Sequence, residues 1–196
     1  MPQGKGAIHR ETIMKQTFKA LLLATCLTAA TTAMAANPQV GGADMFETRN
    51  IVENAVNSAD HTTLVAAVQA GGLVETLQGP GPFTVFAPVN AAFEALPAGT
   101  VDTLLQPENL GMLQKVLTGH VVAGNITAAQ LAARARASRD GFYHFNAVSG
   151  DALSAQVRGR NVYIYDESGN ASRVTIADVM QSNGVIHVVD KVLVPK

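Results

Sequence analysis

The residues best equipped for chemistry after the leader are four histidines, His61, His120, His144 and His187, and the acids near them. His187 and Asp190 stand three apart within the apolar run NGVIHVVDKVLVP, residues 183–195, and have the residue types of a general-base pair. Strand alternation puts Val185 and Val189 on the face of His187 and turns Asp190 to the other, unless a bulge intervenes. The pattern therefore reads as a core histidine with a backbone hydrogen-bond partner, followed by an aspartate that caps a turn or bulge. His120 continues the apolar helix face of Leu113, Val116 and Leu117 and precedes VVAG, so it reads as a buried hinge between helix and strand. A hydrolase using His120 or His187 is the catalytic alternative.

Other reactive patterns are missing. The histidines lack zinc-like spacing and no cysteine follows the leader, so the expectation is no metal. Ser149, in AVSGD, lacks the Gly-x-Ser-x-Gly elbow of a serine nucleophile. The prolines of GPGP, residues 79–82, remove N–H groups that a phosphate cradle needs. No catalytic residue and no cofactor is assigned. ARARASRDGFYHF places Arg134, Arg136 and Arg139 before Phe142, Tyr143 and Phe145, which suits an acidic glycan or a single nucleic-acid strand, or else a solvated loop leading into a core strand. Tyr163 and Tyr165 share a strand face and could stack on a sugar, with the same structural alternative.

These residues must be positioned by an exported domain. Lys15, Lys19 and the apolar ALLLATCLTAATTAMA, ending in Ala33-Met34-Ala35, read as a signal peptide over 1–35 with its start at Met14 and cleavage after Ala35. Cys26, in a loose lipid-attachment box, is the lipoprotein alternative. Removing the leader leaves 10 basic against 14 acidic residues, a net charge of −4, which argues against general nucleic-acid binding. The expected location is secreted or periplasmic, with no transmembrane segment in the mature chain. With no cysteine left, a hydrophobic core must hold the domain together.

Residues 36–46 read as a flexible lead-in and 47–196 as one domain. Ile51, Val52, Ala55 and Val56, then Leu64, Val65 and Val68, then Val74 and Leu77 fall at helical spacing, with Gly71-Gly72 and Gly79-Pro80 as punctuation. FTVFAP is a short strand ended by Pro88, after which Asn90 is expected to cap a helix over AAFEAL and Thr100 to cap a further turn. Thr127 and Gln130 make a capping box for the helix from 128. From Gly141 onward the period changes to alternation through FYHFNAV, ALSAQV, NVYIYD, SRVTI and GVIHVV. Helices first and strands later give an α+β domain.

Two stretches carry more specific information. FTVFAPVNAAFEAL (83–96) and ADVMQSNGVIHVVDKVLVP (177–195), with LQKVLTGHVVAGNIT between them, resemble the two homology boxes of the fasciclin domain over about residues 48–195. The resemblance implies a fasciclin-like fold, with short N-terminal helices packed on a wedge-shaped antiparallel β-sandwich of about seven strands. It makes Phe83, Val85, Phe86, Pro88, Asn90 and Phe93 structural residues of the first box, and Asn183, Gly184, Ile186, His187 and Asp190 those of the second. The boxes should form neighbouring core strands, with Phe83, Val85, Ile186 and Val188 close together. The family's receptor-binding positions fall on Asp178, Val179 and Met180, and on His120, where Gly119 replaces the tyrosine of a Tyr-His pair. Asp178 alternatively caps a short helix over VMQSNG. The implied function is non-catalytic binding of a cell-surface protein or polysaccharide in adhesion, surface-matrix or biofilm contacts. The alternative is a periplasmic carrier of a small apolar or aromatic ligand.

Overall fold

The computed structural model describes residues 37–195. The leader assigned to 1–35, with Met14, Cys26 and the cleavage point, lies outside the described residues. The described chain opens on a two-stranded ribbon, β1 (Gln39–Val40) and β2 (Ala43–Asp44). Val40 and Met45 are buried in the core, so residues 36–46 are not a flexible lead-in from Val40 onward. The reason is apolar anchorage: two side chains enter the core from a segment whose composition is otherwise that of a linker.

Short helices follow: α1 (Ile51–Ala55), α2 (Thr62–Ala70) and α3 (Val74–Gln78). Asn50 and Glu53 close a capping box on α1. Then come β3 (Phe83–Pro88), α4 (Asn90–Glu94), α5 (Thr100–Leu104), α6 (Leu110–Thr118), β4 (Val121–Ala123) and α7 (Ala128–Ala137). The chain finishes in strands β5 (Phe142–Asn146), β6 (Ala152–Arg158), β7 (Asn161–Tyr165), β8 (Ala171–Gln181) and β9 (Gly184–Val189).

Seven strands line up as β4-β3-β9-β8-β7-β6-β5. β8 belongs to both halves of this assembly. Its Ala171–Arg173 end pairs with β7, while Val174–Gln181 pairs with β9, with register shifts around Ile176. The two box strands are neighbours, Val85 opposite Ile186 and Ala87 opposite Val188. Theirs is a parallel pairing, whereas the others are antiparallel. A parallel pair needs both faces covered, which explains why β9 is buried at every residue and why its sequence is nearly continuous in apolar residues. One face meets the helical layer, with Ile51, Leu64, Leu117, Ile186 and Val188 in a common core. The other meets a second core in which Leu131 of α7 and Leu193 pack with Phe86, Leu153, Ile164 and Val189.

Three local expectations fail. Asn90 is the first residue of α4, whose cap Val89 makes no side-chain bond. Its amide instead accepts from Thr63 N–H at 3.0 Å and donates to the Ala59 carbonyl at 2.9 Å, so it caps α2 from 27 residues away. Thr100 likewise lies inside α5, behind Gly99. VMQSNG is not a helix: Val179–Gln181 are the end of β8, because pairing with β9 wins over local turn propensity.

Candidate functional site

His187 is fully buried at the centre of the molecule. Its Nδ1 accepts the Asp178 N–H at 3.2 Å and its Nε2 donates to the Ile126 carbonyl at 2.8 Å, which fixes the neutral tautomer with the proton on Nε2. Burial holds its pKa below the usual imidazole value. Phe86 stacks on the ring, with centroids 5.7 Å apart. Thr84 extends the network, its hydroxyl donating to Gly124 O and accepting from Ile126 N. The imidazole thus ties the loop before α7 to the bulged part of β8.

Asp178 occupies that bulge with φ +58°, a conformation that L side chains rarely adopt. Its carboxylate accepts the first N–H of α7, from Ala128, at 2.7 Å, beside the capping box of Thr127 and Gln130. So Asp178 caps a helix, but it is α7, 50 residues earlier. Of that trio Val179 is fully buried, Met180 half-buried and Asp178 exposed.

Asp190 is no partner of His187. It accepts Arg173 N–H at 2.8 Å and forms an ion pair with the same arginine's Nε at 3.4 Å. His120 is buried, and its Nδ1 donates to Val116 O while its Nε2 accepts Leu193 N–H, both at 2.8 Å. Desolvation pushes its pKa down to about 4. A side chain so enclosed offers no contact to a partner, which corrects its assignment as a partner-binding residue. With each nitrogen of His120 and His187 held by the backbone, neither ring has a site left for a substrate proton.

Asn183 knots the two boxes together. Its amide accepts Ile51 N–H at 3.0 Å and donates to Leu77 O at 2.7 Å and Gly79 O at 2.9 Å, while its carbonyl accepts Phe83 N–H. Gly184 and Gly81 permit this approach, since a Cβ on either would collide with backbone, at Phe83 O and Asn183 O respectively. Phe86, Pro88 and Phe93 fill the interior around the first box.

Arg134 and Arg136 do not share a helix face. Arg134 and Arg136 are two residues apart on α7 and point to opposite sides, since each helical residue turns about 100°. Arg134 lies over the Tyr143 ring at 4.9 Å and donates to its hydroxyl, while Arg139 follows the helix end. A different arginine joins the aromatics. On the outer face of β5–β7, the register aligns Phe142, Gln156, Tyr163 and Arg173 in one row and His144, Ser154 and Tyr165 in the next. Arg158 sits over Tyr163 at 5.6 Å and Tyr165 at 5.5 Å, and donates from Nε to Gln156 Oε1 at 2.7 Å. Phe142 meets Tyr165 edge-on at 5.4 Å. Arg158 escaped the sequence reading although its alternation with Gln156 was visible, because only the hairpin register brings it over the tyrosines.

Between the helical layer and the strands lies an apolar cavity of about 90 Å³, with Leu64, Val68, Leu77, Val85 and Ile186 among its lining. His61 and Ser58 are on its wall. No pattern in SADHTTL signalled this. Among the described residues no group of three or more His, Cys, Asp or Glu is placed to hold a metal ion, and no helix is long and apolar enough to cross a membrane.

The model of the fasciclin domain matches residues 59–195, including both boxes and the strands just described. The chain belongs to the fasciclin-domain family. Protein sll1483 of Synechocystis is 50% identical to it over 145 residues, covering 74% of this chain and 73% of the relative. The transforming growth factor-beta-induced protein ig-h3 of Sus scrofa is 36% identical over 132 residues, 67% of this chain but 17% of the relative. A solved FAS1 domain pair from the insect cell adhesion molecule fasciclin I matches with a TM-score of 0.64 at 16% identity, covering 74% of this chain and half of that structure. That likeness establishes the fold. The fasciclin match points to no enzymatic family.

Proposed function

We propose that this fasciclin domain is an exported, non-catalytic binding module, secreted or periplasmic, that works in adhesion, surface-matrix or biofilm contacts. The observation that carries the reading is the outer face of β5–β7, where Phe142, Tyr163 and Tyr165 stand in register with Arg158 across them. Aromatic rings offer flat apolar surface to a sugar ring, and an arginine beside them supplies fork-shaped donors for a carboxylate. The partner class is a cell-surface polysaccharide with acidic groups, or a surface protein presenting the same chemistry. Support also comes from a relative in fold that is a cell adhesion molecule, and from the signal-like segment over 1–35. The test is retention of the purified protein on immobilised acidic exopolysaccharide. Specific retention that weakens with salt supports the reading, and retention no better than on an uncharged dextran contradicts it.

A second reading is favoured by one observation, the apolar cavity between helices and sheet. On this reading the domain carries a small apolar or aromatic ligand through the periplasm. Small-molecule sites are concave and mostly apolar, with a few placed polar groups. Co-purification of such a molecule, detected by mass spectrometry of the denatured protein, supports it.

A further inference from the structure

Arg158 differs from the other basic groups on the outer face of β5–β7. Arg173 is paired with Asp190 at 3.4 Å, and His144 meets Asp140 at 2.8 Å. The Asp140 carboxylate also accepts from the Ser138 hydroxyl and from Phe142 N–H, so both acids beside the aromatic rows are already engaged. Among the described residues no ion pair involves Arg158, and its side chain is exposed. It is nevertheless held in place. Gln156 Oε1 accepts its Nε–H at 2.7 Å and the Tyr165 hydroxyl at 3.0 Å, which uses both lone pairs of that oxygen. One amide thereby fixes the guanidinium over Tyr163 and Tyr165, at 5.6 and 5.5 Å, and orients the Tyr165 phenol as well.

We infer that Arg158 reads the carboxylate of a uronic acid unit and that Gln156 is the residue that positions it. With Nε occupied by Gln156, the two Nη groups form the edge of the fork that stays open, and their parallel N–H donors match the two oxygens of a carboxylate. The sugar body finds apolar surface on Phe142, a ring that meets Tyr165 edge-on at 5.4 Å and stacks with His144 at 6.1 Å. A lysine would not serve at 158, because an ammonium is a point charge without the planar fork. This rests on the adhesion reading and narrows its partner from an acidic polysaccharide to a polymer of uronic acids.

The test measures, by titration calorimetry at low salt, the affinity of the purified protein for trigalacturonate and for its methyl ester, which keeps the sugar but removes the charge. The acid should bind about ten-fold more tightly than the ester. Arg158→Lys and Gln156→Leu should each remove most of that preference and leave ester binding as it was, a pattern that loss of folding would not produce. Preference kept in Arg158→Lys means that a bare charge is enough and overturns the role of the fork, and preference kept in Gln156→Leu overturns the positioning role. Equal weakening of acid and ester in either variant makes that residue structural and overturns its assignment. Equal binding of acid and ester by the unaltered protein, or binding of neither, overturns the inference and leaves the adhesion reading to its own retention test. Failure of that retention test removes both.

Discussion

A histidine with both nitrogens held by backbone is a structural bracket, and its removal should be felt in stability. His187→Leu keeps the volume but leaves Ile126 O and Asp178 N–H unpaired. It should cost about 3 kcal/mol in urea unfolding. Acid should act through the same groups. His61, His120 and His187 all have lowered pKa values because burial disfavours the charged ring. Their folded pKa values lie below the unfolded value near 6.5, so the unfolded chain binds more protons below that pH. Their stabilisation is complete above about pH 6.5 and is lost as pH falls, for His120 through about 4. That histidine alone accounts for about 3 kcal/mol over the interval. Unfolding free energy measured from pH 7 to pH 5 should fall steadily, and a flat profile would contradict neutral burial. The apolar neighbours of His187 revealed its core setting in the sequence. Its partners at 126 and 178 did not show, because neither is near it along the chain.

At the scale of elements, the legible features were those whose partners are close in sequence. The Thr127 and Gln130 capping box is one, readable because its residues are three apart. The role of Asn90 is hidden because its partners, Ala59 just before α2 and Thr63 in its first turn, are about 30 residues away, and that of Asp178 because its helix lies 50 residues upstream. Asp178 combines a cap with a left-handed backbone, which separates two substitutions. Asp178→Ala loses the cap and retains the strain, at a cost of about 1–2 kcal/mol. Asp178→Gly loses the cap but relieves about 1 kcal/mol of backbone strain. Thermal unfolding should therefore rank the unaltered protein first, Asp178→Gly second and Asp178→Ala last. Gly184→Ala drives a methyl group into the Phe83 carbonyl between the two box strands, and should lower stability by more than either. Circular dichroism melting measures all three.

For the whole molecule, the change from helical to alternating period foretold the α+β class, and the two boxes foretold that β3 and β9 are neighbours. Their parallel direction was hidden, since periodicity is blind to strand polarity. So was the cavity, which arises where many distant side chains fail to meet. The outer face of β5–β7 was half legible. Tyr163 and Tyr165 were visible as a pair, but the register that sets Phe142 and Arg158 beside them belongs to the hairpins. The most direct measurement is the affinity of Tyr163→Ser/Tyr165→Ser for acidic polysaccharide, alongside the unaltered protein and an Arg136→Ser control on the helix. The rings are half-buried on an outer face, so the double variant should still fold, as its circular dichroism would show. The account predicts a loss of at least ten-fold in the double variant and little change in the control. Unchanged binding by a folded double variant would contradict the view that this face makes the contact.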